Sequence, residues 1–283
     1  MSDLIILYIF FVGLATNIKW IIKFIRFFFK ELLGFEKHVH TDTTSTNQSN
    51  QRKTITQFPQ KTFNNEKNKY YESAYFFAKR DSYTEVKNNA GKYGEYLIYD
   101  YLKDYQKSDG KFLFNCYIPK SENQTTEIDV MLIHHSGIFV FESKNYSGWI
   151  FGNEKSDYWT QTLPVKRGVS HKERFYSPIK QNDLHIECLR KIIGNDVPIY
   201  SIIVFSERCT LKEVSVNTPN VHVIKRNQIS MTVSGMLLHN QQRLNTDEIK
   251  EIYQKLYPYT QVSEEVKKQH IANLKKEDIE RPF

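Results

Sequence analysis

Three residues in the middle of this sequence have the types and spacing for chemistry. Asp129 lies within "EIDVMLIHH", and Glu142 and Lys144 close the run "GIFVFESK". Side chains alternate along a strand, so Glu142 and Lys144 project from one face together with Val140. Asp129 is flanked by Ile128, Val130 and Leu132, where a carboxylate serves no structural purpose. If Ser136-Gly137 turns the chain, the two strands pair and bring Asp129 beside Glu142. Carboxylates at close range repel and raise their own pKa values unless a cation sits between them. A hard divalent ion with oxygen ligands relieves that repulsion. Lys144 beside them suits two tasks, holding a water or phosphate oxygen and offsetting transition-state charge. Glu-x-Lys alone reads equally well as a surface ion pair worth about 0.2–1 kcal/mol. The acid inside the preceding apolar strand is what sets this pattern apart.

The elements that must position these groups follow from periodicity. Val86, Ala90, Tyr93, Leu97 and Tyr101 recur at helical spacing, which predicts one helix over Thr84 to Tyr105. Gly91 and Gly94 lie inside it at a cost in helix stability, and a glycine there permits close approach of another backbone. Glu95 stands at the edge of the apolar stripe, either as a rim residue or drawn inward by a positive partner. Strands are expected at "KFLFNCYI", "TEIDVMLIHH", "GIFVFESK", "GWIFG" and "YWTQTL", then a polar, basic loop "PVKRGVSHKERF". "SPIKQNDLHIECLRKIIG" suits an amphipathic helix stopped by Gly194. "VPIYSIIVF" and "NVHVIK" read as further strands, and "TDEIKEIYQKLYP" as a helix with Thr246 as its cap. Helix, three strands, helix, strand is an α/β domain with a mixed sheet.

The chain has 283 residues, 40% of them hydrophobic and 14% aromatic, and a formal charge of +7. That excess favours an anionic partner, either nucleic acid or an acidic membrane surface. Cys116, Cys188 and Cys209 are far apart, which indicates neither a disulfide framework nor a zinc cluster. Leu4 to Ile18 carries no charge, and Trp20, Ile21 and Ile22 resume the apolar run. About 19 residues at ~1.5 Å rise cross most of a ~30 Å hydrocarbon layer. Lys19, Lys23, Arg26 and Lys30 share one helical face beyond it. Residues 1–36 are therefore expected to form a membrane anchor over 4–33 with a basic interfacial extension, its lysine side and the rest of the chain cytoplasmic. Residues 37–69, rich in Thr, Ser, Asn and Gln, read as a disordered tether. A compact domain follows over 70–258, and then a charged tail, 259–283.

Taken in order, Gly91, Gly94 and Glu95, Glu127-Ile128-Asp129, "GIFVFESK", Gly148-Trp149 with Gly152, Trp159, and "SPIKQ" ending at Gln181 resemble a nuclease-related domain (NERD). This is a branch of the restriction-endonuclease-like PD-(D/E)xK superfamily, and the likeness spans roughly residues 91–205. The resemblance implies a restriction-endonuclease-like core and Mg²⁺ or Mn²⁺ held by Asp129, Glu142 and the Ser143 carbonyl. It places Lys144 near the attacking water and makes Glu95 and Gln181 candidate catalytic residues. Ile128 replaces the proline that names the motif, and Ser177 stands where the pattern usually has Asn.

The activity so implied is phosphodiester hydrolysis, with nucleic acid, DNA first, as the partner. Lys166, Arg167, Lys172 and Arg174 are candidate backbone contacts or an ordinary solvated loop. Trp149 and Trp159 offer faces for stacking on bases or for packing. His134, His135 and His171 stay unassigned. The competing reading is a membrane-tethered adaptor that keeps the fold without catalysis.

Overall fold

The computed structural model describes residues 58–164, 169–239 and 242–280. The expected anchor and most of the expected tether lie outside the described residues. Among the described residues no helix is long and apolar enough to cross a membrane.

The described residues open, inside the stretch read as tether, with helix α1 (Phe58–Tyr71). Its polar composition hides a single anchoring end. Tyr70 is fully buried, and Glu66 accepts a hydrogen bond from the Tyr83 hydroxyl at 2.9 Å. Short helices α2 (Ala74–Lys79) and α3 (Tyr83–Asn88) continue this aromatic corner, with Tyr75 and Tyr83 buried beside Tyr70. The helix expected over Thr84–Tyr105 is divided. Asn89 adopts an extended conformation, ends α3, and caps α4 (Ala90–Leu102) by accepting from the Lys92 amide. Asparagine favours such a position because its side chain replaces a missing backbone partner.

Strands β1 (Lys111–Ser121), β2 (Gln124–His134) and β3 (Gly137–Lys144) pair antiparallel. The chain then leaves for β4 (Gly148–Asn153), β5 (Tyr158–Pro164) and β6 (Ser170–Tyr176). Helix α5 (Pro178–Ile193) returns it to β7 (Ile199–Phe205), which lies parallel to β3. After β8 (Cys209–Ser215), β9 (Val221–Lys225) adds parallel to β7, and α6 (Ile229–His239), α7 (Thr246–Leu256) and α8 (Glu264–Glu280) follow. There are two mixed sheets, ordered β1-β2-β3-β7-β9 and β6-β5-β4-β8. The fold is mixed α/β as expected, but the single expected sheet is split. The segment read as a basic loop supplies β6, an exposed strand with little apolar character to betray it. Asn245, not Thr246, caps α7: its side chain accepts from the amides of Asp247 and Glu248. The charged tail forms α8.

The larger sheet is covered on both faces. Phe139, Phe141, Val130 and Leu132 pack with α4 and α6, while Ile138, Val140, Met131 and Ile133 pack with α5 and α7. One irregularity governs the site. Phe112 and Phe114 join the α4 face, yet Cys116 and Ile118, of the same parity, join the α5 face. Val130 and Ile128 make the same exchange on β2. The switch falls at Asn115, whose φ is +49°, and at Asp129 opposite it, the one pair the ladder omits between Phe114↔Val130 and Cys116↔Ile128. Asparagine tolerates that left-handed backbone better than most residues.

Candidate active site

Asp129 therefore sits where β2 changes the face each side chain addresses. The β2–β3 register ends at Val130↔Phe141, and the next step sets Asp129 beside the β3 segment Glu142–Ser143. There its Oδ2 accepts the Ser143 backbone N–H at 2.8 Å. Glu142 and Lys144 project together toward α5, as strand alternation requires. Lys144 Nζ contacts Glu142 Oε1 at 2.6 Å and donates to Gln181 Oε1 at 2.9 Å. Asp129, Lys144 and Gln181 line one cavity of about 660 Å³.

Helix α5 delivers Gln181 because Ser177, fully buried, caps it through the Lys180 amide, and Pro178 occupies its first turn. Serine thus does the capping work that Asn would do there. One turn beyond Gln181 the helix presents His185, a residue the sequence reading passed over. Its Nδ1 lies 2.6 Å from Thr126 Oγ1 and its Nε2 lies 3.2 Å from Glu142 Oε2. Both oxygens of Glu142 are thus engaged, and the residue is 2% exposed. The signal was a histidine four residues after Gln181, on a face that also buries Ile179, Asn182, Cys188 and Leu189.

The electrostatics separate the two acids. Burial pushes Glu142 up, but Lys144 and His185 outweigh it and bring it down to about 2. Burial, with Glu142 and then Glu95 repelling, drives Asp129 well above the usual carboxylate range, against the pull of the Ser143 amide. Burial alone would lower Lys144, yet Glu142 and Asp129 raise it, so the amine keeps its proton.

Glu95 is buried on the α4 side and accepts a hydrogen bond from the Tyr75 hydroxyl at 3.2 Å. Burial raises its pKa, with Lys79 opposing and Glu127 reinforcing the shift. Asn115 Nδ2 donates to Glu127 Oε1 at 2.8 Å, and Lys79 Nζ donates to Asn115 Oδ1. Glu95 is thus turned inward onto the Tyr75 hydroxyl, and it acts on Asp129 by repulsion. Among the described residues no group of three or more His, Cys, Asp or Glu side chains could hold a metal ion as they stand.

Of the basic candidates, Arg174 lines the cavity and lays its guanidinium 4.8 Å from the Tyr158 ring centre. Lys172 lies two residues along β6, exposed, and away from the cavity lining. Lys166 and Arg167 lie outside the described residues. Trp159 is fully buried, stacked on Phe205, whereas Trp149 is 46% exposed. His134 ends β2 and His135 follows it in the turn, five and six residues beyond Asp129 and roughly 16–20 Å away at strand rise. His171 is exposed on β6.

Gly94 explains how α4 comes so near β3. A Cβ built there would lie 2.6 Å from Ser143 Oγ and 3.3 Å from an Arg226 guanidinium nitrogen. No such crowding exists at Gly91. Gly94→Ala is therefore expected to lower stability, because overpacking costs about 1–3 kcal/mol against roughly 1 kcal/mol gained in helix propensity. Gly94→Ala with Ser143→Ala should recover the loss, since the next atom of Ser143 is 3.9 Å away. Denaturant melts of the four proteins check this, and no recovery in the double variant would reject the contact.

The sequence model of the nuclease-related domain matches residues 90–206. An uncharacterized protein of Bacillus anthracis is 31% identical over 184 residues, covering 65% of this chain and 83% of that protein. No solved structure matches.

Proposed function

Because the chain belongs to the nuclease-related domain family, we propose that it is a divalent-metal-dependent nuclease with a restriction-endonuclease-like core, hydrolysing phosphodiester bonds in DNA. The observation that carries this reading is the convergence of Asp129, Lys144 and Gln181 on one cavity, with Glu142 ionised behind Lys144. The donor chemistry fits Mg²⁺ or Mn²⁺: every candidate ligand is oxygen, and Asp129 is crowded by like charges that a cation would neutralise. Asp129, Glu142 and the Ser143 carbonyl would hold the ion, which supplies charge neutralisation and a water of lowered pKa.

The chain's own groups have definite tasks in this scheme. Lys144 is protonated, so it acts as a cation toward the phosphoryl oxygens and not as a base. Gln181 gives its amine a second partner besides Glu142, so Lys144 can turn toward a phosphate without being stranded. His185, set by Thr126, orients Glu142. Arg174 supplies a phosphate or stacking contact at the cavity wall. The anchor over 4–33 belongs to the same proposal on the strength of its uncharged run, and places the nuclease on the cytoplasmic side of a membrane.

The test uses the full chain in mild detergent with end-labelled DNA. Cleavage is expected with Mg²⁺ or Mn²⁺ and none with EDTA. Thermal stabilisation by either ion without cleavage under any condition would favour the adaptor reading instead.

A further inference from the structure

Helix α8 lies beyond the matched family domain, yet it forms one wall of the active-site cavity. His270, Leu274 and Glu277 line it together with Asp129 and Lys144. The helix is firmly seated. His270 is 4% exposed, and its Nδ1 lies 3.1 Å from the Thr125 carbonyl oxygen. Its Nε2 lies 3.6 Å from Glu127 Oε2, and the Tyr117 ring meets it edge-on at 5.4 Å. Further along, Lys120 pairs with Glu277.

The cavity measures about 660 Å³, within the ~300–1,000 Å³ of clefts that take small molecules. One or two unstacked nucleotides match that size; a double helix does not. Tyr146, Tyr158, Arg174, Phe175 and Tyr176 make another part of the lining aromatic and basic. Tyr158 carries the Arg174 guanidinium, and Tyr146 packs against Phe175 with ring centres 4.5 Å apart. Cations tracking a backbone beside aromatic faces are how proteins hold single strands without reading sequence.

Resting on the nuclease reading, we propose that the substrate is a single nucleic-acid strand and that α8 is the wall that excludes duplex. A strand enters between α8 and the β5–β6 wall, with its bases toward Tyr158 and its phosphates toward Lys144. Fixed by His270 and the Lys120–Glu277 pair, α8 leaves no room for the complementary strand.

Fluorescence anisotropy tests this with one labelled oligonucleotide, single-stranded or annealed to its complement, in EDTA so that binding is read without turnover. The full wild-type chain is expected to bind the single strand at least tenfold more tightly. Lys120→Glu opposes Glu277 and frees that end of α8, so the preference should fall several-fold. Lys120→Glu with Glu277→Lys re-forms the pair and should restore it. The ratio is the readout, because a changed charge moves both affinities. Tyr158→Ala should weaken single-strand binding about tenfold, the scale of one lost stacking partner. Equal affinity for the two forms, binding of neither, or a ratio unmoved by the charge exchange overturns the proposal. A strand preference with no cleavage under Mg²⁺ or Mn²⁺ would sink the nuclease reading and leave the single-strand site standing.

Discussion

Asp129→Asn is expected to abolish DNA cleavage and, at neutral pH, to raise the melting temperature. The first effect follows from removing a charged donor where a cation would add several kcal/mol of transition-state stabilisation. At about 1.4 kcal/mol per tenfold, that is a loss of roughly 10³-fold or more. The second follows from the crowding of Asp129. Burial and the charges of Glu142 and Glu95 raise its pKa in the folded chain. An acid raised on folding contributes stability that is whole below its unfolded value of about 3.9 and is lost as pH rises through the folded value. At pH 7, well above the unfolded value, that raised pKa therefore costs the wild type stability. Asparagine avoids this and still presents an oxygen to the Ser143 amide. Each kcal/mol relieved is worth about 2–4 °C for a domain of this size. The two melting curves should coincide near pH 3–4 and separate as pH rises. Mg²⁺ should stabilise the wild type and leave the variant unmoved. A variant less stable than wild type at pH 7 in EDTA would show that the carboxylates do not repel.

Sequence alone reveals that Glu142 and Lys144 share one face of their strand with Val140, because strand alternation leaves no other choice. It also singles out Asp129, since a carboxylate between Ile128 and Val130 contradicts its setting. What it hides is how Asp129 serves both faces. That depends on the left-handed backbone of Asn115 on the neighbouring strand, and no hydrophobic period records one residue's φ. The second sheet is hidden for a related reason: β6 is a charged edge whose strand character comes from pairing with β5. The docking of α8 rests on His270, one buried residue in a helix with scattered apolar positions. His185 was within reach, because its spacing from Gln181 puts both on one face of α5.

Lys144→Ala should be the most destabilising single change at the site, and the Glu142 background should decide why. Glu142 is almost wholly buried and ionised because Lys144 and His185 hold it at about 2. Taking away one partner of a buried pair leaves an uncompensated charge, which costs about 3–5 kcal/mol. In a Glu142→Gln chain Lys144 is itself left without that partner, so Lys144→Ala there should cost at most the packing of its stem, about 1 kcal/mol. The difference is the coupling energy of the pair. Its pH dependence has a fixed sign. A carboxyl depressed on folding contributes stability present above its unfolded value near 4.3 and lost as pH falls through its folded value. The penalty of Lys144→Ala should thus be fullest at neutral pH and shrink as the acid range is entered toward 2. Urea melts across pH for the four proteins measure all of this. Additive losses would mean that Lys144 and Glu142 do not share the charge balance on which the site depends. A strong coupling would explain why such an expensive pair suits the proposed catalytic pocket. The amine keeps Glu142 ionised in the absence of a divalent ion, and Gln181 gives that amine a second partner once it turns toward substrate.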